Sequence, residues 1–222
     1  MRAALVTGAN RRAGIGHAIA RRLKAGGARV FTHGFGEGDA DVDIEGDFAD
    51  PDVPARVVAA AGPLDTLVVN HALSELGTIG ELTAEQIDAH LQVNVRASLL
   101  LVQAFAAQFD GDAGAVVLLT SGAHHGPMAR EIAYAVSKGA LAVATATLAD
   151  ALAERGIRVN CVNPGPTATG WTEGIDWGPR IPFGRIGDPD DAARLVAWLC
   201  SDDGRWVTGQ VIDSEGGFRR WS

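Results

Sequence analysis

The hydrophobic positions of this chain fall into two alternating patterns. Short continuous apolar runs are typical of strands that are buried on both faces. They predict six strands, at Ala3 to Thr7, Ala28 to Thr32, Leu64 to Asn70, Ala115 to Ser121, Arg158 to Asn163 and Val211 to Ser214. Longer stretches between these runs have helical patterns. They predict helices near Ile15 to Ala25, Pro51 to Ala61, Thr83 to Phe109, Ile132 to Glu154 and Pro189 to Ser201.

This alternation predicts the fold class. Parallel strands need crossover connections, and the crossover helices cover both faces of the sheet. We therefore expect an α/β protein with a doubly wound Rossmann fold and a mostly parallel sheet of about seven strands. We see no internal repeat or linker, so residues 1–222 are predicted to form one domain. Gly34 to Gly46 is rich in glycine and acidic residues where a second crossover helix would normally stand, and we expect a loop there.

Composition and charge narrow the class of partner. The formal net charge is -8 and the pI is about 5.2, which argues against nucleic acid or an anionic membrane and favours a small-molecule ligand. Cys161 and Cys200 each lie in an apolar stretch without a nearby second cysteine, so neither a disulfide nor a metal site is expected. The chain starts directly with a strand-like run and has no apolar run near 18 residues, so we expect a cytoplasmic protein.

The first predicted strand leads into a glycine-rich turn, TGANRRAGIG, and then into a helix. Glycines at this position allow a tight turn and close approach of the backbone to a phosphate, with the helix N-terminus facing the anion. A plain glycine-rich loop is the alternative, but the strand before it and the helix after it favour a dinucleotide site. The contacts expected from this turn are Gly8, Asn10, Arg11, Arg12, Gly14, Ile15 and Gly16.

The end of the second strand bears on the choice of cofactor. A dinucleotide site for NAD usually has an acidic residue about 20 residues further on, where it binds the ribose. This chain has His33 and Gly34 there instead. Because Arg11 and Arg12 could meet a 2′-phosphate, we expect NADP rather than NAD. The alternative is that both arginines are solvated and that His33 merely caps the strand.

The segment YAVSK contains the strongest candidate chemistry. The chain has one tyrosine, Tyr134, and two lysines, one of which is Lys138, so this spacing arises by chance only about once in 100. Residues i and i+4 share a helix face, so the ammonium is expected to lower the pKa of the phenol toward the working pH. A tyrosine adjusted in this way is suited to general acid–base catalysis.

Two polar residues lie near this pair in the predicted fold. Ser121 ends a strand at the carboxyl edge of the sheet, where its hydroxyl could hold a substrate carbonyl or simply bond its own backbone. Asn94 is a polar amide within an apolar helix. It requires either a buried hydrogen bond that fixes a bend or a role in a water-mediated proton relay, and we favour both.

Over nearly its whole length the chain resembles the short-chain dehydrogenase/reductase family, and it is similar to members labelled 3-oxoacyl carrier-protein reductase. The resemblance implies a catalytic set of Asn94, Ser121, Tyr134 and Lys138, in which Asn94 organises a water chain to Lys138. It also implies that Lys138 bonds the nicotinamide ribose and that Tyr134 borders the cofactor. The further cofactor contacts that it implies are Asp47, Phe48, Asn70, Pro164, Gly165 and Thr169.

Two features depart from the family's usual pattern. The glycine motif has five residues between Gly8 and Gly14, which is two more than usual. In VVNHAL, Asn70 matches the family, but His71 and Ala72 replace the usual alanine and glycine. His71 could contact the cofactor or substrate, or it could be a packed imidazole bonded to backbone.

The substrate side gives weaker signals. Trp171 and Trp177 predict either a partly aromatic pocket or simple packing of a lid segment. His124 and His125 either face the predicted rim of the pocket or are solvated loop residues. The function we expect is interconversion of a carbonyl compound and its alcohol by hydride transfer. A lyase or epimerase of the same family and a cofactor-sensing binding protein remain alternatives. The resemblance further implies a homo-oligomer, a tetramer or dimer, that uses the two long helices as one interface.

Overall fold

A computed structural model gives the fold and describes residues 3–170, 177 and 180–221. Seven parallel strands form one sheet in the order β3-β2-β1-β4-β5-β6-β7. The strands are β1 Ala3–Val6, β2 Arg29–Gly34, β3 Ile44–Glu45, β4 Thr66–Val69, β5 Gly114–Leu119, β6 Ile157–Asn163 and β7 Val211–Asp213. The helices are α1 Ile15–Ala25, α2 Val53–Ala61, α3 Ala84–His90, α4 Ala97–Gln108, α5 Ile132–Leu152 and α6 Pro189–Cys200.

Both faces of the sheet are buried. Leu5 and Leu67 face a core shared with α2, α4 and α5, whereas their neighbours Val6 and Val68 face a core shared with α1 and α6. Successive strand side chains point to opposite faces, so a continuous apolar run fills both cores. The predicted doubly wound fold is confirmed.

The strand order reverses between β1 and β4. The chain runs outward from β1 through β2 to β3, and it then returns to place β4 on the other side of β1. At such a switch point the loops leave in opposite directions and open a crevice beyond the carboxyl ends of the strands. Gly8 and Asn70, which lie in the loops after β1 and β4, therefore border a candidate ligand site.

Two predicted elements differ from the structure in detail. The segment Gly34 to Gly46 contains no helix, as expected, but it includes the two-residue strand β3, which the sequence pattern did not reveal. The helix predicted from Thr83 to Phe109 is divided into α3, a π-helical turn at Leu91–Arg96 and α4. A capping box between Thr83 and Gln86 starts α3.

The longest helix, α5, is strongly apolar. Together with the short 3₁₀ turn after it, it forms a 24-residue segment, Ile132–Arg155, that is long and apolar enough to cross a membrane by length and composition. Core helices of many proteins share this property. Here the helix packs on the sheet through residues such as Leu141 and Ala149. Cys161 and Cys200 are buried, and neither is in a disulfide within the described residues.

Candidate active site

A cleft of about 1060 Å³ lies beyond the carboxyl ends of the strands at the switch point. The loops that follow β1, β2, β4, β5 and β6 all border it. Sixteen of the residues predicted for catalysis or cofactor binding line this cleft: Gly8, Asn10, Arg11, Gly14, Ile15, His33, Asp47, Phe48, Asn70, His71, Ser121, Tyr134, Lys138, Pro164, Gly165 and Thr169. Three others, Arg12, Gly16 and Asn94, are not among the lining residues. The volume suits a dinucleotide together with a small substrate.

The glycine turn is a close-packed cradle. Gly8 has φ 66°, and a Cβ there would lie 2.7 Å from the Cα of His71. A Cβ on Gly16 would lie 2.5 Å from Nδ2 of Asn70. The Asn70 amide donates to the carbonyls of Thr7 (3.1 Å) and Gly8 (2.9 Å) and so fixes the turn. No side chain caps the start of α1, where Gly14 is the N-cap, and the amides there are suited to a pyrophosphate.

His33 and Phe48 form a ring stack at the β2 side of the cleft. Their ring centroids are 4.1 Å apart, and Nε2 of His33 lies 2.9 Å from the carbonyl oxygen of Gly46. Burial lowers the pKa of His33 to about 4, so the ring is neutral at pH 7. Its Nδ1 has no hydrogen-bond partner in the described part of the chain. A buried polar atom beside the cleft fits a bound ligand.

The two arginines of the glycine turn lie in different places. Arg11 lines the cleft. Arg12 is held by Asp39, whose carboxylate accepts from the Arg12 backbone N–H and whose carbonyl accepts from its Nε, both at 2.7 Å. The structure therefore brings Arg11, and not Arg12, to the cofactor cleft.

Ser121, Tyr134 and Lys138 line the same cleft. Ser121 follows β5, and its Oγ accepts from the N–H of Ala123 at 3.3 Å. Tyr134 and Lys138 lie one turn apart on α5, with Nζ 6.0 Å from the phenol ring centroid. Thus the side chains predicted for catalysis share one space with the glycine turn.

The pKa of Tyr134 corrects one expectation. Burial, with a smaller contribution from the carboxylate of Glu131, raises the pKa of Tyr134 to about 12. The predicted lowering by Lys138 is therefore wrong for this geometry, because burial disfavours the phenolate and Lys138 does not contribute to the shift. Burial also lowers the pKa of Lys138 to about 8.

Asn94 lies in the π-helical turn and is fully buried. Its Oδ1 accepts from the N–H of Leu73 at 2.7 Å, and its Nδ2 donates to the carbonyl of Leu73 at 2.8 Å and to Oγ of Ser137 at 2.9 Å. Ser137 donates in turn to the carbonyl of Tyr134 at 2.8 Å. The buried hydrogen bonds expected at the bend are confirmed, whereas a role in a water chain stays a prediction.

The C-terminal tail supplies cleft residues that the sequence reasoning missed. Glu215, Phe218 and Arg220 all line the cleft. Glu215 pairs with Arg220 and accepts from Nδ2 of Asn163 at 2.6 Å. A Cβ on Gly122, the residue after Ser121, would lie 2.9 Å from Cζ of Arg220. The only local signal was a glycine pair, Gly216 and Gly217, whose positive φ values turn the tail back over the site.

The remaining candidates lie on the rim. Trp177 packs edge-to-face on Phe218, with ring centroids 5.6 Å apart, so the predicted aromatic side of the pocket is present. Nε2 of His125 lies 2.7 Å from a carboxylate oxygen of Asp213, in a neighbouring depression. Trp171 lies outside the described residues, as does the side chain of His124.

Comparisons with known proteins agree with this geometry. Residues 8–219 match the family model described as enoyl-(acyl carrier protein) reductase. The chain is 37% identical to the uncharacterized oxidoreductase YjdA of Bacillus subtilis, covering 98% of this chain and 96% of YjdA. It is 32% identical to L-xylulose reductase of Bos taurus, with coverage of 98% and 96%.

A solved structure shows the same fold. The blue fluorescent protein from a metagenomic library, in complex with NADPH, superposes with a TM-score of 0.90 at 34% identity, covering 98% of this chain and 97% of that one. The fold and the site therefore define a dinucleotide-dependent oxidoreductase. The chain belongs to the short-chain dehydrogenase/reductase family, and it is an NAD(P)-dependent enzyme of that family.

Proposed function

We propose that this enzyme interconverts a carbonyl compound and its alcohol, with Tyr134 as the general acid and base. The observation that carries the proposal is that Ser121, Tyr134 and Lys138 all line the cleft that the glycine turn also borders. One relative, L-xylulose reductase, is named for a reaction of this kind.

The cofactor would be held by the glycine turn, by Asp47 and Phe48, and by Lys138 and Thr169 at the nicotinamide end. Bound reduced cofactor supplies a hydride to the carbonyl carbon. Ser121 and Tyr134 hydrogen-bond the carbonyl oxygen, and Tyr134 gives its proton to the alkoxide that forms. A pKa of about 12 keeps this phenol protonated at neutral pH, which suits proton donation.

Lys138 and Asn94 support Tyr134 in different ways. The ammonium of Lys138 faces the same cleft and stabilises negative charge that develops on the phenol oxygen. Asn94 fixes the start of α5 through Ser137. In the oxidising direction the same groups act in reverse order.

We propose NADP as the preferred cofactor. Arg11 borders the cleft and can meet a 2′-phosphate. Asp43, the acid that comes closest to β2, accepts from the N–H and the hydroxyl of Thr32, both at 2.8 Å, and it is not among the residues that line the cleft. A Michaelis constant for NADH below that for NADPH would contradict this preference.

The two rival functions lack support in the site. A lyase that uses no redox cofactor would not need the intact glycine turn, and a cofactor sensor would not need Ser121, Tyr134 and Lys138 together. An epimerase without net redox change would keep the glycine turn, and the screen described below separates it. We also propose a cytoplasmic homo-oligomer. Val136 and Val143 on α5 are 59% and 80% exposed, and Leu99 on α4 is 39% exposed, so these helices offer apolar faces to a second copy.

The test is a screen of ketones, ketoses and acyl thioesters with NADPH. Turnover is measured as the loss of reduced-nicotinamide absorbance. We expect turnover on at least one carbonyl class and recovery of the reduced cofactor when the product alcohol is offered with NADP. Tight NADPH binding without turnover on any compound would favour the sensor. Conversion of a substrate without net change in cofactor would favour the lyase or epimerase.

A further inference from the structure

His71 spans the space between the glycine turn and the π-helical turn. Its Nδ1 lies 2.9 Å from Oγ1 of Thr7, and its Nε2 lies 2.9 Å from the carbonyl oxygen of Val93. The ring is buried and lies against Phe48, with centroids 4.3 Å apart. His71 is therefore bonded at both nitrogens to two elements that are distant in sequence.

The partners determine the tautomer. A carbonyl oxygen can only accept, so Nε2 carries the hydrogen that bonds Val93. Burial lowers the pKa of His71 to about 3, so the ring is neutral and Nδ1 accepts from the hydroxyl of Thr7. The Thr7 oxygen also accepts from the N–H groups of Asn70 (3.0 Å) and His71 (3.3 Å). The hydroxyl hydrogen is thus directed at the imidazole rather than at the carbonyl of Val68, which is 3.4 Å away.

A series of buried hydrogen bonds, linked by the peptide bond between Val93 and Asn94, starts at this ring. Val93 precedes Asn94 in the π-helical turn, a geometry that is frequent at functional sites. Asn94 bonds Ser137, and Ser137 bonds the carbonyl of Tyr134. Thr7, Asn94 and Ser137 are each fully buried. The end of β1 is thereby connected to the first turn of α5.

We propose that His71 is a positioning residue that couples the glycine turn to the catalytic helix. Its Nε2–H bond holds the carbonyl of Val93, which sets the π-helical turn and, through Asn94 and Ser137, the height of the Tyr134 phenol over the cleft. The Thr7 bond orients the ring and links it to the backbone that contacts the cofactor. This role rests on the proposed function, since it concerns the same catalytic tyrosine.

A merely structural role makes a different prediction. If His71 only fills volume beside Phe48, a ring of similar size without nitrogens serves equally well. If it only anchors the glycine turn, the bond to Thr7 is the one that matters. If it positions Tyr134, the bond to Val93 is the one that matters. Three substitutions separate these cases.

His71→Phe keeps the ring and removes both hydrogen bonds. His71→Asn keeps an acceptor near the position of Nδ1 and loses the donor to Val93, whereas His71→Gln keeps a donor near the position of Nε2. We expect Phe and Asn to lower kcat on the best carbonyl substrate by roughly tenfold to a hundredfold, because small misplacement of a catalytic group is costly. We expect Gln to stay within about threefold of the wild type.

The affinity for NADPH, measured through the fluorescence of the cofactor, is the second readout beside kcat. In His71→Phe and His71→Asn the dissociation constant is expected to rise by a smaller factor than kcat falls, because the backbone of the glycine turn remains in place. Equal kcat in wild type and His71→Phe, or a loss of affinity and not of kcat, would overturn the proposal. A large loss of kcat in His71→Gln would also overturn the proposal, provided that this variant unfolds at the same temperature as the wild type.

A further measurement does not depend on turnover. Amide hydrogen exchange of residues 91–96 and 132–138 should slow when NADPH binds the wild type, and this response should be lost in His71→Phe and kept in His71→Gln. A response that persists in His71→Phe contradicts the coupling. A response with this pattern in a protein that reduces no carbonyl would refute the proposed function and leave the coupling standing.

Discussion

The ammonium of Lys138 donates to the carbonyl oxygen of Leu119, with the two atoms 2.8 Å apart. Leu119 is the last residue of β5, two positions before Ser121. A second bond runs in the opposite direction, since the hydroxyl of Thr120 donates to the carbonyl of Lys138 at 2.7 Å. These two bonds join α5 to the strand that delivers Ser121. The relative position of the catalytic serine and lysine is therefore set by backbone carbonyls in the sheet and the helix.

The charge of Lys138 predicts a limb in the pH profile. Burial lowers its pKa from 10.5 to about 8, so the ammonium is lost as the pH rises through about 8. We expect kcat/KM for carbonyl reduction to fall above this pH. Tyr134, with a pKa of about 12, does not titrate in the same range. The profile is measured with NADPH and the best substrate between pH 6 and about 10.

Lys138→Arg is the control for that limb. An arginine remains charged throughout the range, so in a folded variant with residual activity the limb should disappear. Lys138→Met, which has no charge at this position, should have a low kcat/KM at every pH. A limb that persists unchanged in Lys138→Arg would assign it to another group.

Tyr134→Phe removes only the phenolic oxygen. We expect kcat for carbonyl reduction to fall by about 10² to 10⁴, which is the usual contribution of a general acid. The dissociation constant for NADPH should stay within about threefold, because the ring remains in place. Activity near the wild-type level would show that another group donates the proton.

Gly16→Ala tests the fit of the cofactor turn. The added methyl group would lie 2.5 Å from Nδ2 of Asn70, so the turn must move. We expect NADPH affinity to fall at least about tenfold. Gly80→Ala is the matched control, because a Cβ at Gly80 meets nothing within 4 Å. Equal affinity in the two variants would show that the close packing at Gly16 does not serve binding.

Arg11 and Arg12 differ in their expected effect on cofactor choice. Arg11→Ala should raise KM for NADPH about tenfold and leave KM for NADH nearly unchanged, because only the former has a 2′-phosphate. Arg12→Ala should change KM for NADPH and KM for NADH by similar factors, since Arg12 is held by Asp39. Steady-state kinetics with both cofactors measure the ratio. A selective loss of NADPH use in Arg12→Ala would reverse the assignment.

His33 predicts a dependence of stability on acid pH. Its pKa is about 4 in the folded chain against an ordinary 6.5, so the unfolded chain binds more protons between these values. The free energy of unfolding therefore falls as the pH drops from 6.5 toward 4, by at most about 1.4 kcal/mol per pH unit from this residue. His33→Gln should have a shallower decline in urea titrations at pH 7, 6 and 5. An identical decline in the two proteins would exclude His33 as a cause.

Much of the fold could be predicted because its signals are local. Apolar runs and helical periodicity show where strands and helices lie, and the strand–glycine turn–helix order locates the dinucleotide site. The spacing of Tyr134 and Lys138 puts both on one face of a helix wherever that helix packs. The two-residue strand β3 was missed, because a strand so short has no periodicity of its own.

The sequence by itself thus determined the order of elements, the parallel sheet, the glycine turn and the Tyr134–Lys138 pair, since each depends on near neighbours along the chain. Only the tertiary structure decided which groups these residues meet. It turned Arg12 toward Asp39, brought Arg220 from the tail to the cleft, and raised the pKa of Tyr134 by burying it. It also placed His71 between Thr7 and Val93. The physical reason is that burial and long-range hydrogen bonds depend on which segments pack together, and a local pattern does not specify that.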